Sequence, residues 1–92
     1  MLAVSADVFA DCAARVNEAR ESIKQAEAAV TKARESGKAA AKSPLAKAKK
    51  NLMHAKAECK TEKDVRKQAE AVREAREAQG LAEEAQMLAE KL

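Results

Sequence analysis

From Phe9 to Ala33 the apolar residues fall at alternating steps of three and four without a miss. Phe9, Val16, Ile23 and Val30 take one seam position; Cys12, Ala19, Ala26 and Ala33 take the other. This is a heptad with large residues at a and small ones at d, the pattern of a helix packed along its length against other helices. β-branched and aromatic residues are few elsewhere and never alternate over a useful run, so strands are not expected. The fold class that follows is all-α: an antiparallel helical hairpin or a three-helix coiled-coil-like bundle.

Composition sharpens this reading. Of the 92 residues 47% are apolar, yet there is one Phe and no Tyr or Trp, and Ala supplies much of the apolar total. At about 25 cal/mol per Å² of apolar surface buried, an Ala-rich core leaves a thin margin over conformational entropy. Self-association is the expected remedy. With 36% charged residues, two Gly and one Pro, the chain has the helix-former-rich profile of coiled coils and helical hairpins.

Helix one is expected over residues 5–36, opening at Ser5, whose hydroxyl and the following Asp7 suit a helix N-terminus, and stopping at Ser36-Gly37. Residues 37–43 then form the connection, and Pro44 opens helix two over 44–60 with Ser43 as N-cap. Its seam is Leu45, Ala48, Leu52, Ala55 and Cys59, after which Glu62 and Arg66 fall on seam positions and the pattern breaks. Thr61 to Asp64 offers a cap for a third helix over 61–91, with an apolar stripe of Ala71, Ala75, Ala78, Ala82, Ala85, Ala89 and Leu92, widened by Leu81 and Leu88. Alternatively the helix from Pro44 continues without a bend, and its Ala-Leu tail needs a second chain.

Cys12 and Cys59 both occupy seam positions, so a disulfide between helices one and two is allowed by side-chain direction. With the turn at 37–43 their registers differ by about nine residues, roughly 13 Å along the axis. A disulfide within the chain, two buried thiols and an intermolecular link all stay open at this point. His54 and Glu58 stand four residues apart on one helix face, but a structural zinc site needs four ligands and there is no Cys-x-x-Cys. No metal or other cofactor is expected, and His54 reads as a surface histidine. Met53 and Met87 read as core fillers or contact residues. The pairs Glu70 with Glu74 and Glu83 with Glu84 read as solvated faces. With no phosphate loop and little room for a pocket between Ala-seamed helices, no catalytic role is expected.

The net charge of +3 is unevenly spread. Ten Lys or Arg residues lie between Lys38 and Lys67, against Glu58, Glu62 and Asp64. The basic face of Lys42, Lys49, Lys56, Lys60 and Lys63 either neutralises the other helices of the bundle or meets an anionic partner. Lysines alone can hold phosphates without reading sequence, and no aromatic residue lies among them to stack on bases. No apolar run is long enough for a membrane span, and the first ten residues carry Asp7 and no basic region, unlike a signal peptide. A cytoplasmic protein is the default expectation, with a mature secreted chain as the alternative.

The function that fits these features is a small helical protein-interaction module, such as an adaptor, an inhibitor or a secretion or chaperone component. It would bind a partner protein or a second copy of itself through Ala/Leu helix faces. The stripe of Leu81, Ala85, Leu88 and Leu92 is the candidate partner-binding surface, because nothing in helix one is left to cover it once helix two has docked. The alternative is a non-specific binder of nucleic acid or anionic surfaces through the lysine-rich middle helix.

Overall fold

The computed structural model describes residues 4–60 and 64–92, with side chains described from residue 11 onward. Three helices follow one another, α1 (Val4–Lys32), α2 (Glu35–Cys59) and α3 (Val65–Lys91). They pack up, down and up into a rod measuring 51 × 18 × 13 Å. No strand occurs among the described residues.

The heptad of α1 is used as written. Cys12, Val16, Ala19, Ile23 and Ala26 are buried, and Val30 and Ala33 pack beside them; the side chain of Phe9 lies outside the described residues. In α3 the buried positions Gln68, Ala71, Ala75, Ala78, Ala82, Ala85 and Ala89 keep the same three-four rhythm. Two linked clusters result. One gathers Ile23, Ala26, Ala41, Ala48, Ala82, Ala85 and Ala89; the other gathers Cys12, Val16, Ala55, Cys59, Ala71 and Ala75; Leu52 touches both. The bulky a residues of α1 thus lie against alanines from α2 and α3, an arrangement of large against small that fills space with few large side chains.

The first turn is not where Gly and Pro would put it. α1 stops at Lys32 and α2 starts at Glu35, so the segment 37–43 expected as a connection is helical and Pro44 lies inside α2. Two local features mark the end of α1. Thr31 Oγ1 donates to the carbonyl of Glu27 at 3.0 Å, a back-bond that weakens a helix, and the N–H of Ala33 donates to Val30 at 3.1 Å, tightening the last turn. Arg34 is extended (φ −71°, ψ 167°) and makes no side-chain cap; its carbonyl accepts from the N–H of Lys38 at 2.9 Å. Ser43 is therefore no N-cap. Pro44 leaves the carbonyl of Ala40 without its helical donor, a cost accepted in helix interiors only where packing compensates; its ring is buried, and the run Gly37, Ala41, Pro44, Ala48 continues the seam through it.

Gly37 has a use other than ending a helix. A Cβ placed there would lie 2.7 Å from the carbonyl oxygen of Ala89. The absent side chain lets α2 approach α3 closely at this end, where Ser36 Oγ also donates to the main-chain oxygen of Leu92 at 2.6 Å. α3 packs back along α2 and does not run on from it. Asp64 caps α3, its carboxylate accepting from the N–H groups of Arg66 at 3.1 Å and Lys67 at 3.2 Å. The residues 61–63, expected to share in that cap, lie outside the described residues.

A disulfide joins Cys12 to Cys59, with Cα atoms 5.9 Å apart. The corrected turn cuts the register mismatch from about nine residues to four: Cys12 stands 21 residues before Ala33, and Cys59 stands 25 after Arg34. In the chain-entropy account, a loop of 47 residues closed by a disulfide stabilises by about 4 kcal/mol. In a core this thin that is a large share of total stability.

Two predictions follow from these contacts. Gly37→Ala destabilises by about 1–3 kcal/mol, because backbone of two helices must part, whereas Gly80→Ala, with nothing within 4 Å of its Cβ position, stabilises by about 0.5–1 kcal/mol; urea unfolding of the two variants measures both. Reduction of the disulfide lowers the urea midpoint far more than either glycine change, and a Cys12→Ala/Cys59→Ala variant matches the reduced protein and no longer responds to reductant.

Candidate binding surfaces

The expected partner-binding stripe on α3 is largely consumed by the bundle. Ala85 is fully buried, Leu81 packs against the main core cluster, and Leu88 is half-buried. Of the four, Leu92 is exposed. Because α3 folds back, its alanine face meets the hairpin and leaves no open apolar stripe.

What stays open is the junction of α1 and α2. One flank of α2 carries Leu45, Leu52 and Cys59 toward α1; the other carries His54 and Glu58 toward α3. On the α1 flank the contact is made by branched side chains, which hold the helices apart. A groove of about 370 Å³ results, with Val30, Leu45 and Ala46 as its apolar lining and Lys38, Lys42 and Lys49 along its rim. Lys49 Nζ reaches Glu27 across the groove at 2.6 Å. Lys38 and Lys42 have no carboxylate within 4.0 Å among the described residues.

The basic face expected from the sequence is thereby divided. Lys42 and Lys49 border the groove, Lys56 follows one heptad further along the same side of α2, and Lys60 stands in the turn after it; all four are exposed. Lys63 lies outside the described residues. Sequence reasoning found these lysines but missed Val30 and Leu45 as a floor between them, since it assigned both wholly to the seam.

On the far side of the rod the last turns of α3 form an acidic patch. On the outward face of α3, Met87 is 61% exposed and sits within one turn of Glu83, Glu84 and Glu90, all exposed, with Lys91 at the end of the row. Met53, on α2, is likewise exposed, so neither methionine fills the core. A second, wider groove of about 580 Å³ lies between the C-terminal parts of α1 and α3, lined by Gln25, Lys32, Arg34, Gln86 and Glu90 among others. Its apolar lining is Ala29, Ala33, Ala89 and Leu92, but its walls mix both signs of charge, whereas the charged rim of the α1–α2 groove is wholly basic.

Between α2 and α3, His54 and Glu58 meet Glu74, their ligating atoms all within 4.8 Å of one another. His54 Nδ1 stands 3.7 Å from Glu74 Oε1. Glu74 is not the solvated partner of Glu70 that spacing suggested: its side chain is 16% exposed and that of Glu70 49%. The pair His54 and Glu58 was legible from the i,i+4 spacing. Glu74 was not, because it comes from a helix whose register against α2 no local pattern reveals. No protein-family model matches the chain, and comparison with curated proteins and with solved structures finds no match.

Proposed function

We propose that the chain is a helical protein-interaction module whose α1–α2 groove receives an acidic helix bearing an exposed apolar side chain. The observation that carries this reading is the pairing of an apolar floor, Val30 and Leu45, with a rim of Lys38, Lys42 and Lys49. An apolar groove rimmed by cations, of which Lys38 and Lys42 have no carboxylate within 4.0 Å among the described residues, favours a helix that presents one apolar side chain among carboxylates. The outward side of α3 has that chemistry, with Met87 among Glu83, Glu84 and Glu90. A second copy of the chain is therefore the occupant proposed, each α3 lying in the other's groove about a twofold axis.

The thin alanine core supports the same reading, since a small bundle gains most from burying further surface in a partner. The disulfide supports an oxidising compartment, and with it the secreted alternative over the cytoplasmic one. The lysines also keep the alternative of non-specific nucleic-acid binding in play, because Lys42, Lys49 and Lys56 recur every seven residues on one exposed side.

Light scattering at rising protein concentration tests the proposal. The expected result is a dimer that weakens with salt, is lost in Lys42→Glu and in Glu84→Lys, and returns when those two variants are mixed, because the reversed charges then face each other again. A chain that stays monomeric, or a dimer indifferent to both variants, overturns it. Fluorescence anisotropy on a labelled DNA duplex separates the alternative: binding that falls steeply with salt, is lost in Lys42→Glu/Lys49→Glu/Lys56→Glu and is unaffected by Leu45→Ser belongs to phosphate contacts alone.

A further inference from the structure

We infer that His54, Glu58 and Glu74 form a binding site for one zinc ion that fastens α3 to α2. The three side chains converge from two helices, and a ligating atom of each lies within 4.8 Å of the others. Ligands of a single zinc ion, bound at about 2.0–2.2 Å, sit roughly 3 to 4 Å apart, so a modest rotation closes the set. His54, whose side chain is 69% exposed, is free to make it.

A second observation points to a cation here. Oε1 of Glu58 and Oε1 of Glu74 are both shielded from solvent, and neither accepts a hydrogen bond. Shielded carboxylate oxygens without donors are unfavourable. Neither glutamate has a Lys or Arg within 4.0 Å among the described residues, although the chain has 18 such residues to offer. A divalent ion satisfies both oxygens at once. The imidazole selects a transition metal over Ca²⁺ or Mg²⁺, which take oxygen ligands, and one imidazole with two carboxylates suits zinc, leaving a coordination position for water.

The site has a mechanical consequence. Glu58 adjoins Cys59, whose disulfide ties α2 to α1, whereas α3 is held to the hairpin by packing and by the Ser36–Leu92 hydrogen bond at the far end of the bundle. Zinc at Glu74 would fasten α3 at the disulfide end, so that all three helices are clamped at one level.

Isothermal titration of the whole chain with Zn²⁺ alone tests this, paired with the His54 imidazole resonances, which are unambiguous because the chain has a single histidine. Expected are one ion per chain, a shift of the His54 resonances that saturates at the same ratio, and a higher melting temperature with zinc. Glu74→Gln, near-isosteric with the native residue, should weaken binding at least about tenfold, while Glu70→Gln, on the exposed side of the same helix, leaves it unchanged; circular dichroism of the metal-free variants checks that both stay folded. No saturable binding, or equal affinity in Glu74→Gln and the native chain, overturns the proposal, since the second outcome would reduce the site to the i,i+4 pair on α2.

Discussion

The close approach of α2 to α3 is the contact on which the rest of the bundle depends. Helices touch at a distance set by the side chains between them. Here those side chains are alanines over nearly the whole of α3, and at Gly37 there is none. The carbonyl of Ala89 sits where a Cβ would otherwise be, so the two backbones are as near as one end of the bundle allows. Alanine contributes little area per residue, but it costs no side-chain entropy to order, and close backbones gain dispersion contacts along their length. The bulk that fills the remaining core comes from α1, whose Val16 and Ile23 lie against that alanine surface.

This division of labour explains why the two junctions flanking α2 differ. Toward α3 the contact is tight, and the polar groups caught there, Glu58 and Glu74, lose solvent without gaining donors. Toward α1 the half-buried Val30 and Leu45 keep the helices apart, and the gap between them is the groove. One flank of α2 is thus placed to hold an ion and the other to receive a helix. Both features follow from residue size along the seams, without any loop devoted to function.

Periodicity disclosed the helices, their buried faces and the large-small asymmetry of α1, because burial in a coiled-coil-like bundle is periodic and local in sequence. It misplaced the first turn because Gly37 and Pro44 are strong punctuation in isolation, and in this chain both are spent on packing within α2. The steps of four, three and four from Gly37 to Ala48 were the countersignal, since a seam that begins at Gly37 requires helix there. The error propagated: a turn placed too late shifts α2 along α1, and that shift alone separated Cys12 from Cys59. Ala85 was misread for a related reason. A stripe on α3 is a partner surface only if α3 runs free, and whether it folds back is decided at residues 60–64, where the pattern is at its weakest. Glu74 lay beyond reach because its environment is set by another helix.

Because α2 borders both other helices, its lysines could have neutralised acidic residues on both sides. Among the described residues they do so at one point, Lys49 with Glu27, while Arg73 of α3 pairs with Glu70 and Glu77 of its own helix. The bundle therefore keeps a basic side at the α1–α2 junction and an acidic patch around Met87 on the last turns of α3. Exposed charges of one sign contribute little to stability and repel one another, so a segregated pair of faces gains nothing within a single copy. Two copies related by a twofold axis would set each basic face against an acidic one. The segregation is what the proposed self-docking uses, and it is the feature that composition alone, with its small net charge, conceals.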